Sequence, residues 1–140
     1  MMKSRSSLPR SPCAIWIASD DEGYCIGMAQ RYGAVVGVKA DQLAEYKRLH
    51  AAVWPAVLAT IERANIRNFS IYLRKLPDGK HYLFSYFEYV GADYAGDMAA
   101  VAADPDTQRW WAITEPCQEP LGDRADGEWW ASAEEVFHTD

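Results

Sequence analysis

The apolar patterning predicts an α+β domain of the ferredoxin-like, split βαβ kind, with helices over one face of an antiparallel sheet. Three observations carry this. Segments of strand and helix period follow one another as strand, helix, strand, strand, helix, strand. A length of 140 residues with 49% apolar content corresponds to one domain with a sizeable core. No internal repeat or linker divides the chain.

Residues 1–28 combine Ser, Pro and Gly with the acidic cluster Asp20, Asp21 and Glu22 and hold no sustained period. They are assigned to an N-terminal appendage, with Met28 as a candidate natural start, and the folded domain to residues 29–140. Tyr32, Ala34, Val36 and Val38 then alternate with Gly33, Val35 and Gly37, a strand pattern. Asp41 is placed to cap the next segment, in which Leu43, Tyr46, Val53, Val57 and Ile61 recur at helical spacing. Pro55 lacks a donor and clashes with the preceding turn, so it predicts either a kink near Ala51 or a second helix starting there. Asn65 offers the exit.

IRNFSIYL (66–73) and HYLFSYFEYV (81–90) read as strands of a hairpin, with Pro77, Asp78 and Gly79 in the turn. Phe69, Ile71 and Leu73 oppose Asn68, Ser70 and Tyr72, so both sheet faces carry apolar or aromatic residues and both are expected to be covered. Helices account for one side, and a second copy packed sheet to sheet would account for the other. Gly91, Asp93 and Gly96 surround a helix start. Asp104 and Pro105 divide that helix from a second one, which Pro116 stops. Residues 116–130 read as an irregular connection and EEVFH (134–138) as the final strand.

A formal net charge of −6 and a pI near 5.0 work against nucleic-acid backbones and anionic lipid surfaces as partners. The apolar run at residues 13–18 is too short for a signal core or a membrane span. Cys13, Cys25 and Cys117 cannot all pair within one chain and form no CxxC, which fits a reduced, cytoplasmic setting. There is no Walker loop, dinucleotide fingerprint or serine elbow, so no dedicated nucleotide cofactor is indicated.

The conspicuous residues are aromatic: six Trp, eight Tyr and four Phe. Tyr46, His50 and Trp54 follow at intervals of four and would share one helical face but for the Pro55 disruption. His50 is suited to moving a proton either way near neutrality, although a histidine packed beside core aromatics accounts for the same spacing. Trp110 and Trp111 diverge on one helix, so at least one packs while the other can reach a cleft or interface. An indole wall suits the C–H face of a sugar. Trp129 and Trp130 read as packing residues. His81 and His138 form no metal-ligand spacing with His50.

The segments EYKRLHAAVWP, NFSIYL, LFSYFEY, DPDTQRWW and EEVFH together resemble the L-rhamnose mutarotase family, including its relatives associated with deoxysugar use, over roughly residues 29–138. The resemblance implies a dimeric α/β barrel of ferredoxin-like subunits that interconverts the α and β anomers of a free monosaccharide without metal or organic cofactor. It matches the catalytic histidine to His50 and the substrate contacts to Tyr46, Trp110 and Trp111, with Trp54 and Asn68 as supporting candidates. Where the family pattern has Asn-Tyr, this chain has Asn68 followed by Phe69. A ring wall is kept and a phenolic hydroxyl is lost, so an L-fucose-like sugar stands beside L-rhamnose as the expected substrate. Two other readings fit the same residues: a cofactor-independent monooxygenase on this fold, and a non-enzymatic sugar-binding dimer.

Overall fold

The computed structural model describes residues 29–140, so the expectations for residues 1–28, Cys13 and Cys25 among them, lie outside the described residues. Strand β1 (Gln30–Val38) forms the middle of one antiparallel sheet. It pairs with β3 (His81–Tyr89) on one side and with β4 (Gln118–Glu119) and β5 (Ala131–Ala133) on the other. Strand β2 (Ile66–Lys75) joins β3 through the predicted hairpin, which gives the order β2-β3-β1-β4 of a ferredoxin-like sheet.

Alternation decides which face is covered. Val36 lies opposite Leu83 in the β1–β3 register, and both are essentially fully buried. With Val38, Cys117 and Tyr46 they form one core, which Leu43, Ile71 and Trp130 extend. Each such aliphatic side chain contributes about 1.5–3 kcal/mol on burial. Tyr46 comes from helix α1 (Leu43–His50). A second core of Leu49, Val57 and Trp110 locks α1 to α2 (Pro55–Arg63) and α4 (Pro105–Thr114).

Of the two outcomes left open at Pro55, the chain takes the second. Pro55 is the first residue of α2, where its missing N–H costs nothing. Trp54 before it is extended (φ −61°, ψ 134°), the conformation a following proline imposes. Asp41 does not cap α1. It lies inside a 3-10 turn, Ala40–Gln42, so its backbone is already helical, and α1 starts after Gln42 with no side-chain cap. Asp93 and Asp104 do cap, accepting from the Gly96 and Thr107 amides at the starts of α3 (Tyr94–Ala103) and α4. Each cap is worth about 1 kcal/mol.

Asn65 leaves α2 in the left-handed region (φ 65°). Its side chain and the buried Tyr89 hydroxyl both donate to Asp97, which ties α3 to the sheet. Gly91 is required by this network, because a Cβ there would lie 2.5 Å from the Tyr89 oxygen.

The last quarter of the domain departs from expectation. The stretch read as irregular contains β4, and the final strand is Ala131–Ala133, not residues 134–138. Beyond β5, Glu135 meets Arg31 as an ion pair at 2.7 Å instead of continuing the ladder, and Val136 and Phe137 stand 87% and 78% exposed. In β2 a bulge between Arg67 and Ser70 sets two residues, Asn68 and Phe69, against Phe87, with Asn68 in the left-handed region (φ 51°). Among the described residues, helices cover one sheet face. The other carries Val35, Phe84 and Tyr72, the last 65% exposed. Among the described residues no helix is long and apolar enough to cross a membrane.

Candidate active site

His50 is the last residue of α1, one turn beyond Tyr46, and the two rings stack with centroids 4.1 Å apart. Its Nδ1 lies 3.0 Å from the Tyr46 backbone oxygen. A carbonyl only accepts, so Nδ1 carries the hydrogen and Nε2 is left with its lone pair. The Trp110 ring meets His50 edge-on at 5.3 Å, and Trp54 meets Trp110 edge-on at 5.1 Å. The structure therefore gathers Tyr46, His50, Trp54 and Trp110. Trp54 joins through Trp110 and not by prolonging the helical stack, because the chain turns at Pro55.

Burial pushes the His50 pKa below its ordinary value, against a smaller opposing effect of the Tyr46 carbonyl. The imidazole is thus neutral at pH 7. The sign for stability follows: folding favours the neutral ring, so this contribution is complete above about pH 6.5 and is lost as pH falls from there through the lower folded value. A catalytic role as a base has the same dependence. A base at this position would keep its activity as pH drops past 6.5 and lose it only below that, which a pH profile between 4.5 and 8 checks.

Tyr46 is 5% exposed, and burial raises its hydroxyl pKa to about 12, so it is a neutral phenol. Its oxygen accepts a hydrogen bond from Gln118 Nε2 at 3.3 Å, and Gln118 Oε1 accepts from the Trp129 indole N–H at 2.7 Å. Neither Gln118 nor Trp129 stands out as a site residue in sequence. Gln118 lies in the stretch read as irregular, and it is the Val38–Gln118 pairing of β4 that brings it to the helix-covered face.

Trp110 and Trp111 separate as adjacent helical positions must: Trp110 is 6% exposed and Trp111 37%. Trp111 lines an open cavity of about 490 Å³ together with Lys39, Glu115, Gln118, Glu119 and Trp129. Gln118 is thus shared between this cavity and Tyr46. Phe69 belongs to another aromatic group. It meets Phe87 edge-on at 5.6 Å, Phe87 stacks on Tyr32 at 5.3 Å, and Tyr32 stacks on Tyr94 at 4.6 Å. By register, Phe69 shares the helix-covered face with Val36 and Leu83, and the small pair Ala34 and Ser85 lies between Tyr32–Phe87 and Val36–Leu83. Asn68 is not brought to His50. Its amide donates to Glu88 at 2.8 Å, a carboxylate that also accepts from the Tyr86 hydroxyl on the opposite face. Among the described residues no three His, Cys, Asp or Glu side chains converge as a metal site would require.

The chain is similar to known proteins in sequence and in fold. The family model for L-rhamnose mutarotase matches residues 31–139. An L-rhamnose mutarotase of Oceanobacillus iheyensis is 29% identical over 111 residues, covering 79% of this chain and 99% of the relative. An L-fucose mutarotase of Xanthomonas campestris pv. campestris is 34% identical over 99 residues, covering 68% of this chain and 74% of the relative. The crystal structure of an L-rhamnose mutarotase from Formosa agariphila superposes with a TM-score of 0.59 at 18% identity, over 79% of this chain and 98% of that one, a likeness of fold. The chain is an enzyme of the mutarotase class on a ferredoxin-like fold. It belongs to the L-rhamnose mutarotase family.

Proposed function

We propose that the protein interconverts the α and β anomers of a free deoxysugar, L-rhamnose or a related sugar such as L-fucose, by acid/base opening and closing of the pyranose ring. The observation that carries this is His50: a half-buried neutral imidazole whose Nδ1 is committed to a backbone oxygen and whose Nε2 is free to accept a proton. In the reaction Nε2 takes the proton of the anomeric hydroxyl, the C1–O5 bond breaks as C1 becomes a carbonyl, and O5 gains a proton. Rotation about C1–C2 and closure on the other carbonyl face invert C1. Tyr46 orients or protonates a sugar oxygen, Trp110 and Trp111 supply walls, and Phe69 supplies a third without a hydroxyl. Trp54 supports Trp110. The relatives named for L-rhamnose and for L-fucose bracket the choice of sugar. Exchange NMR of a panel of free sugars tests this, as a rate of anomer interconversion above the spontaneous one.

The working unit in this proposal is a homodimer formed through the uncovered sheet face. Tyr72, 65% exposed opposite Phe84, lies on that face and away from the helices. Tyr72→Arg should shift the sedimentation coefficient from dimer to monomer, and an unchanged coefficient would exclude this face as the seam.

A further inference from the structure

The two hydrogen bonds around Gln118 have a direction. An indole N–H donates and cannot accept, so at 2.7 Å from Trp129 the Gln118 amide must present its oxygen there. Its NH₂ end then faces Tyr46 at 3.3 Å, and an amide NH₂ only donates. Tyr46 therefore accepts through its oxygen and keeps its own proton. Among the described residues no protein acceptor takes that proton. A reversed amide would set donor against donor at Trp129 and draw the Tyr46 proton onto Gln118. Gln118 is 6% exposed, and its backbone pairs with Val38.

We infer that Gln118, held by Trp129, is a positioning residue that fixes Tyr46 as the hydrogen-bond donor to the sugar. The inference rests on the proposed anomer exchange and divides its labour. His50 Nε2 is an acceptor and takes the O1 proton. The Tyr46 hydroxyl is a donor and gives its proton to O5 as the C1–O5 electron pair moves to O5 and the O1–H pair becomes the second bond of the carbonyl. An imidazolium and a phenolate result, the latter retaining the Gln118 N–H bond. Closure on the opposite face returns both protons, so the protein ends unchanged. Burial favours neutral Tyr46, while the Gln118 donor favours its anion, which suits a group that yields its proton only in the reaction.

The test uses Gln118→Glu, Gln118→Leu and Trp129→Phe, with kcat and KM from exchange NMR and the Trp129 indole ¹H–¹⁵N resonance as a reporter. Gln118→Glu keeps an oxygen for the indole but offers Tyr46 an acceptor, reversing the second bond. The indole resonance should stay near its wild-type position while kcat falls about tenfold or more, with KM little changed. Gln118→Leu and Trp129→Phe should lower kcat about threefold to tenfold, the scale of one neutral hydrogen bond. In a Tyr46→Phe background none of the three should lower kcat further, because the group they act through is gone. Wild-type kcat in Gln118→Glu, or losses of full size in the Tyr46→Phe background, would overturn the inference. If Gln118→Glu fails to fold, the other two variants carry the same test. A wild-type protein that accelerates no sugar overturns the proposed function along with it, whereas an active wild type with insensitive Gln118 variants overturns the positioning role alone.

Discussion

Replacing His50 by Ala should lower catalysed anomer exchange by about 10²- to 10⁴-fold and leave the protein folded. The two halves of that expectation have different physical sources. The rate falls because no other side chain in the Tyr46, Trp54 and Trp110 group is a base at neutral pH: Tyr46 is a phenol with a pKa near 12, and indoles do not titrate. The fold survives because His50 is only half-buried and contributes one stacked contact, one edge contact and one hydrogen bond to the Tyr46 carbonyl, each worth about 0.5–1.5 kcal/mol. A domain of ordinary stability, about 5–15 kcal/mol, tolerates that loss. Circular dichroism and a melting curve measured beside the NMR rate separate the two. A folded His50→Ala protein with wild-type exchange would remove the histidine from the chemistry.

The adjacent tryptophans should differ sharply in stability. Trp110→Ala should cost about 3–5 kcal/mol, because it empties the centre of the core that Leu49 and Val57 share and takes away the partner of Trp54 and His50. For a domain of this size that corresponds to a melting temperature lower by more than about 10 °C. Trp111→Ala, at a side chain 37% exposed on the cavity wall, should cost about 1 kcal/mol or less and should instead raise KM. Urea unfolding of both variants checks the difference, and equal losses would mean that Trp111 is as much a core residue as Trp110.

What the sequence makes legible is local. Tyr46 and His50 meet because four residues make about one helical turn, and the divergence of Trp110 from Trp111 follows from 100° per residue. Pro55, Asp93 and Asp104 act within a few residues of themselves, so their effects on helix boundaries are legible, with the Pro55 break readable as one of two outcomes. What was not readable depends on pairing over distance. A two-residue strand such as β4 has no period to detect, and it forms because β1 offers an edge. Without β4, nothing marks Gln118 as the partner of Tyr46, 72 residues earlier in the chain. EEVFH has the composition of a strand, yet Arg31 takes Glu135 through its side chain and the ladder ends at Ala133. Asn68 is next to Phe69 in sequence, but the bulge sends its amide to Glu88 on the far face. The contrast has one cause: side-chain spacing is written in the sequence, whereas edge pairing and bulge position are settled by strands that meet only in the folded chain.

The most direct measurement is two-dimensional exchange NMR on L-rhamnose, L-fucose and their close stereoisomers, comparing the α-to-β rate with and without protein below the pH at which His50 protonates and above it. The protein should accelerate at least one 6-deoxy sugar well beyond its spontaneous rate at pH 7, and the acceleration should vanish in His50→Ala and fade at acid pH. Rates equal to the spontaneous ones for every sugar, with folded wild-type protein present, would contradict it.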